Sequence, residues 1–487
     1  MRRNKAIAVV ALGCGLALLV PLALAGGKHD SHSAKGTPDF AREVAPIVRE
    51  KCAGCHRLGG IGPFPFRTEA DLAKYAPLVV AAVGDGRMPP WPPSATSPEF
   101  VGQHDRTLDK SQRDVLLRWA RAQLMAPGAP RSRTPIGAAP ALPPQARPGE
   151  KLLTLRAAAP YLPTSRNGAT DDYRCFLLDP GLTEDAFVTS TRIEPDAAAL
   201  VHHVILFRVP PESVASAEKL DAAAPGEGWT CFGGTGVKTS SGKGLSFLDS
   251  AGWIAAWAPG TRADRQDDGT GVLLTKGSRI VMQVHYNLLN GRKLDRSQAS
   301  LTTVPATTGL TPVETTLLPA PVEIPCPKGA TAPLCDRSAA QFAQIAKYGS
   351  AAGFIPTGLL VLCAKDPSKP PTGSTSTCTR TVTTPTTIRA VGGHMHLLGT
   401  SIKIELNPGT SRSKLLLEIP RWDFHWQGAY FLSTPIKAQP GDTLRVTCNF
   451  DAGRRSKTKP AQKPRYTLWG EGTTDEMCLG VLQVTHE

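Results

Sequence analysis

Two kinds of hydrophobic pattern divide this chain at a proline-rich stretch. Before that stretch, apolar residues recur every three or four positions, which is the spacing of one helix face. The predicted helices are Pro38–Glu50, Glu69–Val83 and Lys110–Leu124. Thr68 and Asp109 stand where two of these helices need an N-cap. The N-terminal part of the chain is therefore expected to be all-α.

After the proline-rich stretch the pattern changes to short alternating runs that are broken by Gly, Pro, Asn and Asp. Every second residue is apolar in Ile280–Tyr286, and Leu444–Phe450 alternates in the same way. This alternation predicts antiparallel strands, and their number predicts two β-sandwiches that divide near residues 305–320. One helix is predicted to interrupt the second half, over Arg337–Lys347.

The stretch itself, residues 127–150, has seven prolines in 24 positions and is typical of an extended linker. A chain of 487 residues also suggests about three domains. The expected divisions are 1–25 as an export signal, 38–126 as a helical domain, 127–150 as a linker, and 151–310 and 311–487 as two β-domains.

The first residues resemble a secretory signal. Arg2, Arg3 and Lys5 precede the apolar run Ala6–Ala25, which ends in a small-residue cleavage pattern. The chain is therefore expected to be exported to a periplasm or the extracellular space, although an uncleaved anchor is an open alternative. No later apolar run approaches the ~20 residues that span a bilayer, so no stable membrane insertion is expected after cleavage.

Basic residues exceed acidic ones by 55 − 41 = 14, but they are scattered along the chain. The densest cluster comprises Arg454, Arg455, Lys457, Lys459, Lys463 and Arg465. It lacks interleaved aromatic residues and any nucleic-acid motif, so nucleic-acid binding is not expected. A solvated loop is favoured, and docking of an anionic partner is the alternative.

A C-x-x-C-H motif is formed by Cys52, Cys55 and His56. Two such thiols can bond a haem covalently, and the histidine then supplies an axial iron ligand. Met88 is the candidate for the second axial ligand, with a core methionine as the alternative, and half a zinc site or a redox dithiol is the alternative for the motif. Residues 38–126 resemble class I cytochrome c, which implies a one-electron carrier with one covalent haem c.

Three histidine motifs follow the linker: the pair His202-His203, the single His285, and His394 with His396 in an H-x-H pattern. Alternate residues of a strand share one face, so His394 and His396 can bind one metal while Met395 points away. Imidazole suits copper, zinc and iron alike, so the histidines alone do not select the metal.

Met477, in the sequence Asp-Glu-Met-Cys, is a soft thioether ligand that favours Cu(I). With it, the four ordered motifs over residues 165–487 resemble the copper type II, ascorbate-dependent monooxygenases. That family includes peptidylglycine α-hydroxylating and dopamine β-monooxygenases. The resemblance implies two jelly-roll-like β-sandwiches that each hold one copper.

By this resemblance, His202, His203 and His285 hold an electron-transfer copper, and His394, His396 and Met477 hold the catalytic copper that binds O₂. Neighbouring residues diverge on a regular strand, so a metal shared by His202 and His203 requires a local irregularity. The resemblance also implies the disulfides Cys175–Cys231 and Cys448–Cys478. Cys326, Cys335, Cys363 and Cys378 allow three pairings, of which Cys326–Cys335 with Cys363–Cys378 is preferred.

The chain departs from the peptide-amidating members where they bind a substrate carboxylate, because Gly392, Leu479 and Val481 occupy those positions. A peptide C-terminus is therefore not the expected substrate. Trp422, Phe424, His425 and Trp426 are expected in the sandwich core, with the cleft as the alternative.

The expected function is hydroxylation of a C–H bond in an unidentified small molecule with O₂. Electrons would come through the fused haem from an exported donor, either ascorbate or a redox protein. The alternative is a non-catalytic copper and haem electron carrier or copper-binding protein.

Overall fold

The computed structural model describes residues 36–58, 60, 62–126, 132–139, 145–164, 171–231, 234–238, 252–259, 261, 264–288, 291–458 and 461–486. The expected export signal, residues 1–25, lies outside this range. None of the described helices is long and apolar enough to cross a membrane.

The N-terminal segment is helical. It begins with a π-helical turn, Phe40–Val44, and continues with α1 (Ala45–Lys51), α2 (Glu69–Lys74), α3 (Ala76–Gly84), α4 (Gln103–Arg106) and α5 (Lys110–Met125). The prediction of one helix over 69–83 is wrong, because the helix breaks at Tyr75. Pro77 has no N–H to continue the ladder and instead sits in the first turn of α3.

Two sheets form the first β-unit. Its strands are β1 (Lys151–Arg156), β2 (Asp171–Leu178), β3 (Ala186–Glu194), β4 (Val201–Val209), β5 (Trp229–Thr230), β6 (Trp253–Trp257), β7 (Asp264–Arg265), β8 (Thr270–Leu274), β9 (Arg279–Asn287), β10 (Gln298–Pro305) and β11 (Thr311–Pro312). One sheet has the order β1-β10-β3-β8-β11, with β7 beside β3, and the other has the order β5-β2-β9-β4-β6. Leu206 and Met282 from one sheet and Leu301 from the other share a core between them. Helix α6 (Val214–Ala222) follows β4.

The second β-unit follows. Its strands are β12 (Glu314–Pro319), β13 (Glu323–Ile324), β14 (Thr375–Thr381), β15 (Thr386–His394), β16 (Gly399–Leu406), β17 (Lys414–Ile419), β18 (Ala429–Ala438), β19 (Thr443–Phe450), β20 (Thr467–Leu468) and β21 (Leu479–His486). The main sheets have the orders β12-β21-β15-β18 and β14-β19-β16-β17, and β13 pairs with β20. Helices α7 (Arg337–Tyr348) and α8 (Ser350–Leu362) lie between β13 and β14. The predicted helix over 337–347 is thus present and one residue longer.

The β-rich prediction is confirmed, and all pairings between the described strands are antiparallel except that of β11 with β8; an isolated bridge between Trp469 and Glu476 is also parallel. The short β11 runs parallel to β8, with Thr311 opposite Thr270. This contact lies where the chain leaves the first unit, and the next strand, β12, pairs with β21 of the second unit.

The helical segment is docked on the second β-unit. The Val101 N–H donates to the Phe431 carbonyl at 2.8 Å, and the Ser433 N–H donates to the Glu99 carbonyl at 2.9 Å. Trp91 packs edge-on against Tyr430, with 5.5 Å between ring centroids. The segment therefore extends the β18 edge with main-chain hydrogen bonds and buries an aromatic contact beside it.

The described parts of the proline-rich stretch also pack against their neighbours. Ile136 is 1% exposed and belongs to the core of the helical segment. Gln145 donates to the Ser300 carbonyl at 2.7 Å, and its own carbonyl accepts from Arg265 of the first β-unit. Ile136 and Gln145 are thus fixed to different units.

Candidate metal centres and the cleft between them

A β-bulge places the paired histidines together. Val201 lies opposite Tyr286 and His203 lies opposite His285, so His202 is the extra residue between them. A bulge turns the strand locally and redirects one side chain. This is the irregularity that a metal shared by His202 and His203 requires.

Three imidazoles converge at this bulge. The Nδ1 atom of His203 lies 3.4 Å from Nδ1 of His202 and 3.4 Å from Nδ1 of His285. On its other side, His285 Nε2 donates to Asp171 at 2.8 Å, which leaves Nδ1 with its lone pair toward the cluster. His285 is also stacked on Tyr173 at 4.1 Å, so its ring is held on two sides.

The second pair lies at the end of β15. The Nε2 atoms of His394 and His396 are 3.2 Å apart, and Met395 between them is fully buried in the sandwich core. The Nδ1 atom of His394 lies 2.6 Å from Gln427 Oε1, which fixes the ring orientation. The Trp422 indole N–H donates to the His396 carbonyl at 3.1 Å.

Glu476 brings Met477 to the same place. Its buried carboxylate accepts hydrogen bonds from the backbone N–H groups of His396, Leu398 and Met477. Met477 is 5% exposed and lines a cleft together with His394 and His396. One carboxylate therefore aligns the H-x-H segment with the segment that carries the thioether.

The spacing of the imidazole nitrogens in both clusters fits a metal ion, and His202, His203 and His285 place three such atoms within 4.8 Å of one another. Metal–nitrogen bonds of about 2.0–2.1 Å place ligand nitrogens about 3.3 Å apart at a tetrahedral angle, close to the separations found here. Burial lowers the pKa of His202, His203 and His396 well below the usual value and lowers that of His394 to about 4. These rings are thus neutral at pH 7, and metal binding requires neutral imidazole.

The expectation of a solvated loop is wrong for two members of the basic cluster, whereas Lys457 and Lys463 are exposed as expected. Arg455 is 4% exposed and donates to the Thr474 carbonyl at 3.0 Å. Arg465 forms a salt bridge with the buried Asp475. Both cations therefore hold the segment just before Met477, where buried backbone and carboxylate oxygens need donors.

The two clusters meet at one end of a cleft between the β-units. The rings of His203 and His394 have centroids 6.3 Å apart. Phe424 extends from the second unit and stacks on His202 of the first at 4.2 Å. The expectation of a place in the sandwich core holds for Trp422. It is wrong for Phe424, whose ring covers a histidine across the cleft, and for His425, which is exposed.

Polar contacts join the two units beside the histidine clusters and at a second place. Thr473 Oγ1 donates to Asp171 at 2.7 Å, and the Tyr173 hydroxyl donates to the Glu471 carbonyl at 3.0 Å. Elsewhere Arg389 forms a salt bridge of 3.1 Å with Asp267. Hydrogen bonds and a salt bridge thus hold the two walls of the cleft together.

The C-x-x-C-H turn follows α1. The Phe64 carbonyl lies 2.9 Å from His56 Nδ1, which directs Nε2 away as a candidate ligand atom. A Cβ at Gly62 would lie 2.9 Å from the His56 ring, so only glycine fits there. Met88 is half-buried. The residues on either side of it in the sequence contact the second β-unit: the Asp85 carbonyl accepts from Arg421, and Trp91 packs against Tyr430.

Four disulfides join eight of the ten described cysteines; Cys52 and Cys55 are the other two. The pairs are Cys175–Cys231, Cys326–Cys335, Cys363–Cys378 and Cys448–Cys478. Disulfides persist in oxidising compartments, so their number fits a secreted protein.

Three residues of the site were missed by the sequence analysis. Asp171 and Gln427 bond to ligand-candidate rings, and Glu476 aligns the loop of Met477. Only Glu476 carried a signal, because it lies inside the Asp-Glu-Met-Cys motif. Asp171 and Gln427 are brought to their rings by strand pairing and by a turn, which no local pattern marks.

Comparison with known proteins finds a family match in the second β-unit. Residues 358–483 match the C-terminal domain of the copper type II ascorbate-dependent monooxygenases. A tyramine beta-hydroxylase of Caenorhabditis briggsae is 40% identical over 58 residues, which are 12% of this chain and 8% of that protein. The chain thus matches less than a tenth of that relative's length.

Solved structures give only weak likenesses. An allantoicase is 10% identical, covering 66% of this chain and 90% of its own, with a TM-score of 0.14. The infectious bursal disease virus Gx strain structure is 8% identical, covering 72% and 75%, with a TM-score of 0.16. Scores this low carry no argument about fold.

Proposed function

We propose that this protein is a copper-dependent monooxygenase that hydroxylates a C–H bond of a small organic substrate with O₂. The observation that carries the proposal is the arrangement of His394, His396 and Met477 on one wall of a cleft that has His203 on the other. The match of residues 358–483 to a copper monooxygenase domain supports it.

Copper bound at the two clusters would supply the one-electron redox chemistry that activation of O₂ requires. The residues of the chain prepare those sites. Asp171 and Gln427 orient the rings of His285 and His394. Burial lowers the pKa of His202, His203, His394 and His396, which keeps these four imidazoles neutral for metal binding.

We also propose that the helical segment carries a covalent haem c. Cys52 and Cys55 would attach it, and His56 and Met88 would be its axial ligands. The hydrogen bond of His56 Nδ1 to the Phe64 carbonyl supports this role, because it holds the ring with Nε2 available. Such a haem would supply one-electron storage next to the copper units, and an exported donor, ascorbate or a redox protein, would re-reduce it.

The decisive experiment is labelling with ¹⁸O₂. Reduced, copper-loaded protein is incubated with a cell extract, and small molecules that gain one heavy oxygen are identified by mass spectrometry. Met477→Ile keeps an apolar side chain in the core but removes the thioether, so incorporation should fall at least tenfold while haem content stays unchanged. Full incorporation by this variant would refute the site assignment, and none by the wild type would favour a non-catalytic electron carrier.

The haem assignment has its own test. Wild-type protein should show one covalent haem per chain by mass, and Met88→Ala should shift its absorption spectrum by loss of an axial ligand. The same variant should slow oxidation driven through the haem and spare oxidation driven by a small artificial reductant. A chain without covalent haem would remove this part of the proposal.

A further inference from the structure

The floor of the cleft changes in polarity along its length. It runs from the candidate metal ligands, over apolar side chains, to a polar side chain at the far end. On β21, Leu479, Val481 and Gln483 all face the cleft, because alternate residues share one side of a strand. Leu479 lies opposite His394, and Gln483 lies opposite Ala390. Leu479 and Gln483 are four residues apart along the strand, which corresponds to about 13 Å.

The middle of the cleft is apolar on both walls. Val481 pairs with Gly392 on one side and with Leu317 on the other. The facing wall contributes Ile205 and Phe207, which follow His203 at alternate positions along β4. Among the described residues that line the cleft, none is Lys or Arg, so a carboxylate or phosphate would lose its hydration there without a cation to replace it.

Gln483 lies at the far end of the cleft, and its side-chain oxygen lacks a hydrogen-bond donor among the described residues. Its Oε1 atom is buried, and no hydrogen-bond donor reaches it from any part of the chain that the structure describes. A buried amide oxygen without a donor costs free energy that a ligand donor would recover. The Gln483 side chain lines the same cleft as His394, His396 and Met477, so a molecule bound in the cleft is the available source of that donor.

Two carboxyl groups also line the cleft, and burial makes both easier to protonate than a free carboxyl. Burial raises the pKa of Glu471 to about 7, and its backbone belongs to the metal-binding end, where Tyr173 bonds its carbonyl. Burial likewise raises the pKa of Asp264 to about 7, against the opposing effect of the Arg106 charge. An ammonium group on the body of a substrate would lose its hydration against the apolar middle of the cleft, where Ile205, Leu317 and Val481 offer no acceptor.

We propose that the cleft selects an uncharged, elongated substrate with an apolar body and a terminal hydrogen-bond donor such as a hydroxyl group. The donor binds Gln483 Oε1, the body lies over Gly392, Val481 and Leu317, and the opposite end reaches His394, His396 and Met477. This inference rests on the proposed function, since it assigns the reacting carbon to that end.

Binding without turnover tests the inference. The probes are 1-octanol, octanoate and octylamine, which have equal length and differ in charge, with methyl octyl ether as the probe that lacks a donor. An eight-carbon chain is about 10 Å long, since bonds of about 1.5 Å advance an extended chain by about 1.25 Å each. Equilibrium dialysis is performed on full-length, reduced, copper-loaded protein without oxygen. Octanol should bind at least tenfold more tightly than octanoate and octylamine.

Variants locate the donor contact. Gln483→Leu should weaken octanol binding roughly fivefold to tenfold and leave the ether unchanged, because one hydrogen bond is lost. Gln298→Leu, the same substitution on a strand of the first β-unit, should change neither. Val481→Arg should bring octanoate to or above the affinity of octanol.

Equal or tighter binding of octanoate or octylamine by the wild type would overturn the inference, as would an unchanged octanol affinity in a folded Gln483→Leu protein. The comparison of charges on the wild type holds even if that variant does not fold. Octanol selectivity without any ¹⁸O incorporation would remove the proposed function and keep the inference. Hydroxylation of a charged substrate would do the reverse.

Discussion

Asp171 Oδ1 lies 2.8 Å from His285 Nε2, on the side of the imidazole that faces away from His202 and His203. The carboxylate is also bonded to Thr473 Oγ1 of the other β-unit. Asp171 therefore fixes the orientation of one ring and connects the two walls of the cleft at that ring.

Replacing Asp171 by Ala should weaken copper binding at His202, His203 and His285 by about 10- to 100-fold, because the ring loses the partner that orients it. Competition with a copper chelator, followed by the spectrum of Cu(II), measures this. Copper at His394, His396 and Met477 should be retained. Asp179→Ala, an exposed carboxylate just after the same strand, is the control, and equal losses in both variants would contradict the role.

Removing the bridge Cys448–Cys478 should cost about 3–4 kcal/mol of the free energy of unfolding, since a loop of about 31 residues is opened. Cys478 follows Met477 directly, so copper affinity at that site should fall as well. Denaturant unfolding and copper titration of the double Ala variant check both effects. The Cys326–Cys335 double variant should lose stability without loss of copper, and a free thiol at Cys448 in the wild type would refute the pairing.

The stability of the protein should fall as pH rises toward 7 because of Asp264. Burial raises the pKa of this carboxyl to about 7, so the folded protein keeps a proton that the unfolded chain has already released. The stabilising effect is complete below pH 4 and is lost as pH rises through 7. Asp264→Asn should be less sensitive over this window, which thermal unfolding at pH 4.5 and pH 7.5 measures. Identical slopes for wild type and variant would exclude Asp264 as the cause.

Glu418 should control how firmly the helical segment is seated. Its carboxylate accepts from Ser94 Oγ at 3.1 Å and from Thr96 Oγ1 at 2.9 Å. Glu418→Ala should speed hydrogen exchange at the Val101 amide severalfold, since each lost bond is worth about 1 kcal/mol. Glu405→Ala, which removes an ion pair with Lys403 in the same β-unit, is the control. Unchanged exchange at Val101 would show that Glu418 does not hold the segment.

The sequence predicted elements whose signal is local. Capping at Asp109 and alternation around His285 were sufficient for a helix and a strand. The break at Tyr75 was missed because apolar spacing continues through it, although Pro77 cannot complete the ladder. The requirement for an irregular strand at His202 followed from geometry, but its solution by a bulge depends on pairing with β9.

The contacts that cross the cleft were not predictable in the same way. Phe424 reads as a core residue because its environment in the chain is aromatic, and its partner His202 lies in the other β-unit. Arg455 reads as a surface cation because its neighbours are basic, and its acceptors are carbonyl and hydroxyl oxygens of a later segment. Burial of polar groups is decided by tertiary partners, which hydropathy along the chain does not encode.

The seating of the helical segment changes how the proline-rich stretch is to be understood. Ile136 is buried in one unit, Gln145 is bonded into another, and Glu99 and Val101 continue the edge of a sheet in the third. A stretch whose residues are held against packed units in this way is not a flexible tether. A group bound at the C-x-x-C-H turn would therefore lie at a fixed distance from the cleft. That distance would be set by the packing of the units and not by diffusion of a tethered domain. Insertions into the proline-rich stretch would then leave that distance unchanged, whereas a single substitution on the β18 edge would alter it.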